Sequence, residues 1–180
     1  MWTEGTPPLP PLEPLLLFCR HVCRGSEIGA AGSTTFGVEP KFDDNSVTLD
    51  AIARSDGRLM GIAKVDDTFT DADLDALHDG GIRGVRFNMI AERGGTGNLG
   101  LIDTVVDRIK DRGWSLTIHA KPDGLVQNAG WLAAMPVPTI IDHYGRISFA
   151  DGTEQPAFET LLNLLRDHEH IWGKISCIER

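Results

Sequence analysis

Gly80-Gly81-Ile82-Arg83-Gly84-Val85-Arg86-Phe87-Asn88 stands between two helical patterns, and that arrangement decides the fold. Upstream, Thr70 can cap a helix over Asp71–His78, with acidic residues in its first turn where the helix dipole favours them. Gly80-Gly81 stops that helix, and Gly84–Asn88 predicts a strand. Downstream, Asn98 can cap a second helix whose Leu101, Ile102, Val105, Val106 and Ile109 share one face, ended by Gly113.

The same unit repeats on both sides. Towards the N-terminus, a helix over Ser46–Arg54, capped by Asn45 or Ser46, precedes a strand over Leu59–Val65. Towards the C-terminus come a strand at Trp114–Ala120, a helix at Asp123–Met135 and a strand at Thr139–His143. A helix at Pro156–Arg166, opened by proline, and a strand at Ile171–Ser176 follow. Five short strands alternating with longer helices predict right-handed βαβ units and a parallel sheet, the α/β class. Thr6–Pro14 is proline-rich and Arg24–Thr35 is rich in Gly, Ala and Ser, and neither carries a period. Residues 1–44 therefore read as a poorly structured or foreign segment, and residues 45–180 as the folded domain.

With 41% hydrophobic and 24% charged residues the chain is built like an ordinary globular protein. A net charge of -9 excludes a nucleic-acid surface, which needs a cationic stripe, and favours small-molecule partners. Leu15–Phe18 is too short an apolar run to span a membrane, and Glu4 stands where a signal peptide carries positive charge, so the expected compartment is the cytoplasm. Cys19, Cys23 and Cys177 cannot form a fully paired disulfide framework. Cys19, His21 and Cys23 lie close in sequence, but they lack the fourth ligand of a zinc site.

In a parallel α/β protein the functional groups gather where the strands end. Here those positions carry Asp66 and Asp67, Arg86 and Asn88, His119 and Lys121, and His143 with Arg146 just beyond. Strand alternation groups Gly84, Arg86 and Asn88, then Thr117 and His119, then Thr139, Ile141 and His143, so that each set faces a shared mouth. Arg86 is a candidate anion clamp, because guanidinium matches carboxylate as a fork, although an ion pair with a nearby Asp would serve structure instead. His143 is the candidate catalytic group, since imidazole can polarise a carbonyl or bind metal; the alternative is a core histidine bonded to a backbone carbonyl. His119 and Arg146 are candidate substrate-binding groups. Asp142, by alternation, falls on the opposite strand face and reads as a supporting group. Basic groups clustered in an acidic protein imply an anionic substrate, such as a carboxylate.

Two further patterns have plain readings. Gly95-Thr96-Gly97-Asn98-Leu99-Gly100 fits G-x-G-x-x-G, but the preceding strand ends several residues before its first glycine. His168-Glu169-His170 lies between a helix and a strand, at the end opposite the chemistry, and reads as solvated.

The Gly80–Asn88 run, Gly113-Trp114, His119-Ala120, Thr139-Ile140-Ile141-Asp142-His143-Tyr144-Gly145-Arg146 and Trp172-Gly173-Lys174-Ile175-Ser176, in this order, resemble the amidohydrolase-related family of the amidohydrolase 2 type, within its 2-pyrone-4,6-dicarboxylate lactonase subgroup. The resemblance covers Asn45–Arg180. It implies a (β/α)₈ TIM-type barrel of the metal-dependent hydrolase superfamily that hydrolyses a lactone, amide or related bond in a small carboxylated molecule. It places His143 at the histidine after the fifth strand, which contacts substrate or, in metal-using relatives, metal. It also places Arg86 near substrate and His119 where the family has variable polar groups.

A closed barrel takes about 250 residues, so 180 residues predict an incomplete one. The family's opening H-x-H strand end is not found in Met1–Pro40, and its last-strand aspartate, the general base, is expected beyond Arg180. Without the H-x-H pair no metal or other cofactor is expected. The site then assigns His143 to polarising the scissile carbonyl, Arg86 with Arg146 to holding carboxylates and His119 to substrate binding. Two other readings stay open: an inactive half barrel, prone to associate through a sheet edge exposed after Ser176, and a nucleotide-binding protein using the glycine loop.

Overall fold

The computed structural model describes residues 34–36, 45–91 and 94–175. Six strands, β1 (Thr34–Phe36), β2 (Met60–Ala63), β3 (Ile82–Asn88), β4 (Ser115–His119), β5 (Thr139–Ile141) and β6 (Ile171–Gly173), form one sheet in the order of the chain. Every pairing is parallel. The connections carry α1 (Ser46–Ala53), α2 (Asp71–Asp79), α3 (Leu99–Ile109), α4 (Pro122–Gln127), α5 (Ala129–Ala133) and α6 (Pro156–Asp167). An unbroken strand order is the winding of a barrel wall; a dinucleotide-binding sheet reverses its order at a switch point, and this sheet does not. The architecture is a partial (β/α) barrel.

β1 lies inside the segment read from sequence as poorly structured, and it pairs with β2 through Thr34–Met60, Thr35–Gly61 and Phe36–Ile62. The sheet thus opens one strand earlier than the periodicity showed, because three residues are too few to display alternation. Cys19, His21, Cys23, Ser176 and Cys177 lie outside the described residues.

Local chemistry explains most boundaries. Thr70 and Asp73 form a capping box at the start of α2, each side chain serving the other's backbone N–H. Asn98 Oδ1 accepts from the Leu101 N–H at the start of α3. Asn45 precedes α1 but does not cap it. Its amide instead bridges to the backbone of Lys64, accepting from the N–H and donating to the carbonyl at 2.9 Å each, which ties α1 to the end of β2. The helix predicted over Asp123–Met135 is two short helices broken at Asn128, whose side chain takes the Gly124 carbonyl at 2.7 Å.

The core lies between sheet and helices. Val85, Leu116, Ile118 and Ile141 from the strands join Leu74, Ile102, Val105, Ile109, Leu125 and Leu132 from the helices, all buried in one cluster. Trp114 is fully buried, and its indole N–H donates to His78 Nδ1 at 2.8 Å. On the surface, Arg108 of α3 meets Asp71 at 3.0 Å and Arg112, just past α3, meets Asp75 at 2.7 Å, both carboxylates lying on α2. No helix among the described residues is long and apolar enough to cross a membrane.

Candidate active site

The strand register decides which side chains meet at the mouth. Arg86 pairs with Thr117, Thr117 with Ile140, and Ile140 with Trp172. Paired residues in a parallel ladder share a face, so the face of Arg86 continues on β5 through Ile140, and the next residue of that parity is Asp142. The expected grouping of Thr139, Ile141 and His143 with Arg86 is therefore corrected. Ile141 belongs to the buried core, and Asp142, assigned from sequence to the far face, faces the site.

Asp142 is 1% exposed and is the centre of the cluster. Arg86 Nε donates to its Oδ2 at 2.9 Å, and Nη2 lies 2.8 Å from the same oxygen. Lys174 Nζ is 3.0 Å from Oδ1. Burial pushes the Asp142 carboxyl up, but Lys174 and then Arg86 outweigh it and hold it below the ordinary carboxylate range. Arg86, read as a clamp for substrate, thus holds a carboxylate of its own protein. Lys174, not singled out from sequence, completes the group.

The strand predicted over Thr139–His143 ends at Ile141, and the chain turns sharply there. His143, Tyr144, Gly145 and Arg146 all take left-handed backbone, with φ of 52°, 50°, 66° and 57°. For the three that are not glycine this costs roughly 1–2 kcal/mol each, and such strain gathers at functional sites. Gly145 is needed there twice over: its φ is positive, and a Cβ would come within 2.9 Å of Leu125 Cδ2. The turn brings His143 Nε2 to 3.5 Å from Asp142 Oδ2 and sets its ring edge-on to His119, with centroids 5.4 Å apart.

His119 is 6% exposed, and its pKa falls from 6.5 to about 4, first through burial and then through the Arg86 charge. It is neutral near pH 7. Arg146 Nη1 lies 3.5 Å from His119 Nε2. Guanidinium only donates, so a hydrogen bond here requires the His119 tautomer that carries its proton on Nδ1. The structure thus brings together Arg86, His119, His143 and Arg146 and adds Asp142 and Lys174. Lys121 is exposed, and Asp66 is occupied by Thr68, whose N–H and hydroxyl both donate to it.

Three cations against one carboxylate make this a place for an anion. The same balance suits a divalent metal poorly. Asp142 already has two cationic partners, and no three His, Cys, Asp or Glu among the described residues are grouped to hold a metal. The glycine loop is folded onto its own strand end: Gly95 N–H donates to the Ile90 carbonyl and Thr96 N–H to the Asn88 carbonyl. Those amides are spent on the protein and cannot cradle a pyrophosphate. His168 and His170, expected to be solvated, are half-buried and edge-on to each other, with centroids 5.8 Å apart.

A family model for amidohydrolases (Amidohydro_2) matches residues 25–180, most of the chain and all of this site. The chain belongs to the amidohydrolase family. The match begins ahead of Asn45, where the β/α rhythm becomes legible. Among curated amidohydrolase relatives, a 2-pyrone-4,6-dicarboxylate hydrolase of Comamonas testosteroni is 33% identical over 76% of this chain and 45% of its own length. A 4-sulfomuconolactone hydrolase of Rhizobium radiobacter is 35% identical over 97% of this chain and 56% of its own. A crystal structure of a probable 2-pyrone-4,6-dicarboxylic acid hydrolase from Acinetobacter baumannii with citric acid bound superposes with a TM-score of 0.62. It is 31% identical and covers 77% of this chain and 52% of that one. The chain spans about half the length of the curated relatives it matches.

Proposed function

We propose that this amidohydrolase chain forms the carboxylate-binding side of a hydrolase site for a lactone, amide or related bond in a small carboxylated molecule. In this reading Arg86 and Arg146 hold substrate carboxylates, His119 adds a neutral hydrogen-bonding face beside Arg146, and His143 polarises the scissile carbonyl. The observation that carries it is the convergence of Arg86, His119, His143, Arg146 and Lys174 around Asp142, at the ends of four consecutive strands, in a protein of net charge -9. Supporting it, the similar proteins named above are hydrolases of a pyrone dicarboxylate and a sulfonated lactone, and the solved relative holds citric acid. The setting proposed is the cytoplasm, in keeping with three cysteines that cannot all pair.

Calorimetric titration of the chain with 2-pyrone-4,6-dicarboxylate and with its neutral dimethyl ester tests the binding half. Selective binding of the dianion, weakened more than about tenfold by Arg86→Ala, is expected. Equal affinity for acid and ester, or none for either, sinks the reading. Loss of the pyrone absorbance on incubation tests the hydrolytic half.

A further inference from the structure

Asp142 is an odd neighbour for an anion site. A fixed carboxylate repels the anion that Arg86 and Arg146 would attract, so through-space charge alone argues against placing it there. Its two oxygens, however, are divided between two cations. Oδ2 is held by Arg86 from β3, and Oδ1 faces Lys174 just past β6, so the contacts reach it from opposite sides across the strand ends. Lys174 is itself fixed by its backbone, whose N–H donates to the Ile141 carbonyl at 2.9 Å, immediately before Asp142. Asp142 is shut off from water, whereas the Arg86 and Lys174 side chains are 17% and 25% exposed, so the carboxylate is the buried anchor and the cations reach outward.

We propose that Asp142 and Lys174 are positioning residues for the Arg86 guanidinium: Lys174 fixes Asp142 from the β6 side, and Asp142 fixes Arg86 in the orientation that meets a substrate carboxylate. The inference rests on the reading of Arg86 as a carboxylate-binding group. A guanidinium on three methylenes samples many rotamers, and holding it before binding removes that ordering cost from the binding step. One carboxylate between two cations leaves the triad with net positive charge, so the site still attracts an anion while Arg86 stays oriented.

Charge and positioning predict opposite results for one substitution. Asp142→Asn removes a negative charge, so if Asp142 acted only through its field the chain would bind 2-pyrone-4,6-dicarboxylate more tightly. Positioning predicts weaker binding, by about tenfold or more in calorimetric titration. Lys174→Met should weaken binding by a similar factor, and Lys174→Arg should restore it to within about threefold of the parent. Far-UV circular dichroism of each variant checks that the fold is kept. Should the Asp142→Asn variant not fold, Asp142→Glu makes the same distinction: it keeps the charge and moves the carboxylate by one methylene, and weaker binding again supports positioning. Unchanged or tighter binding in the position-142 variants that fold overturns the proposal and leaves the carboxylate-site reading standing. A parent chain that binds no dicarboxylate overturns both.

Discussion

Between α2 and α3, Arg108 and Arg112 face Asp71 and Asp75; at the strand ends, Arg86 and Lys174 enclose Asp142. The residue types and the distances are nearly the same. The carboxylates differ: Asp71 and Asp75 are 73% and 66% exposed, and Asp142 is 1% exposed. In water the attraction between a pair at such distances is worth about 1 kcal/mol, and out of water several times that, but only after each charge has given up its hydration. The outer ladder therefore adds little and can be lost. The inner one is costlier to break, because its carboxylate is shut off from water and cannot exchange a lost partner for hydration.

Asp142→Ala should give the largest effect, roughly 3–5 kcal/mol of stability lost in urea unfolding, as for the breaking of other buried pairs. A loss under about 1 kcal/mol would put the two networks in one class and dissolve the contrast.

The pH dependence of His119 sharpens the same contrast. Its pKa of about 4 in the folded chain lies below the ordinary 6.5, so between those values the unfolded chain takes up a proton that the folded site refuses. The contribution of His119 to stability is therefore constant above pH 6.5 and falls as the pH drops from there towards 4, by on the order of 3 kcal/mol. Asp142 runs the same way in a lower window, since its depressed carboxyl keeps its contribution until the pH falls into the ordinary carboxylate range and below. Urea melts from pH 7 to pH 4 on the parent and on His119→Gln separate the two. The variant should lose the slope, and an equally steep slope in both would show that His119 is not its source.

Arg112→Ala should be the smallest of the three, costing less than about 1 kcal/mol and costing still less in molar salt, which screens exposed pairs. A larger, salt-insensitive cost would mean that its stem packing matters more than its charge.

The order of elements was open to reading because each signal is local. Thr70 with Asp73, Asn98 before Leu101, and the paired glycines after α2 act within a few residues, and the structure keeps those boundaries to within about two residues. Where local signals compete, the reading fell short. Asn45 looks like a cap, but its amide finds Lys64 nineteen residues away, and Asn128 breaks a helix that its neighbours would continue. β1 was missed since a three-residue strand among glycines and alanines has no visible period. Of the cluster, Arg86, His119, His143 and Arg146 are legible because polar groups at strand ends stand out. Asp142 reads from sequence as a supporting group on the wrong face, and Lys174 carries no such signal.

The sequence alone determined the α/β rhythm, the family resemblance and the gathering of basic groups at one end of the sheet, all of which depend on spacing along the chain. The tertiary structure decided that Asp142 faces the site, that Lys174 joins it and that residues 143–146 turn left-handed. The physical reason is that a parallel strand is covered on both faces. Thr139-Ile140-Ile141 is apolar enough on either side to hide its parity, and only the ladder with β4 and β6 fixes it. The Arg86–Asp142 pair, 56 residues apart, forms once that ladder is set.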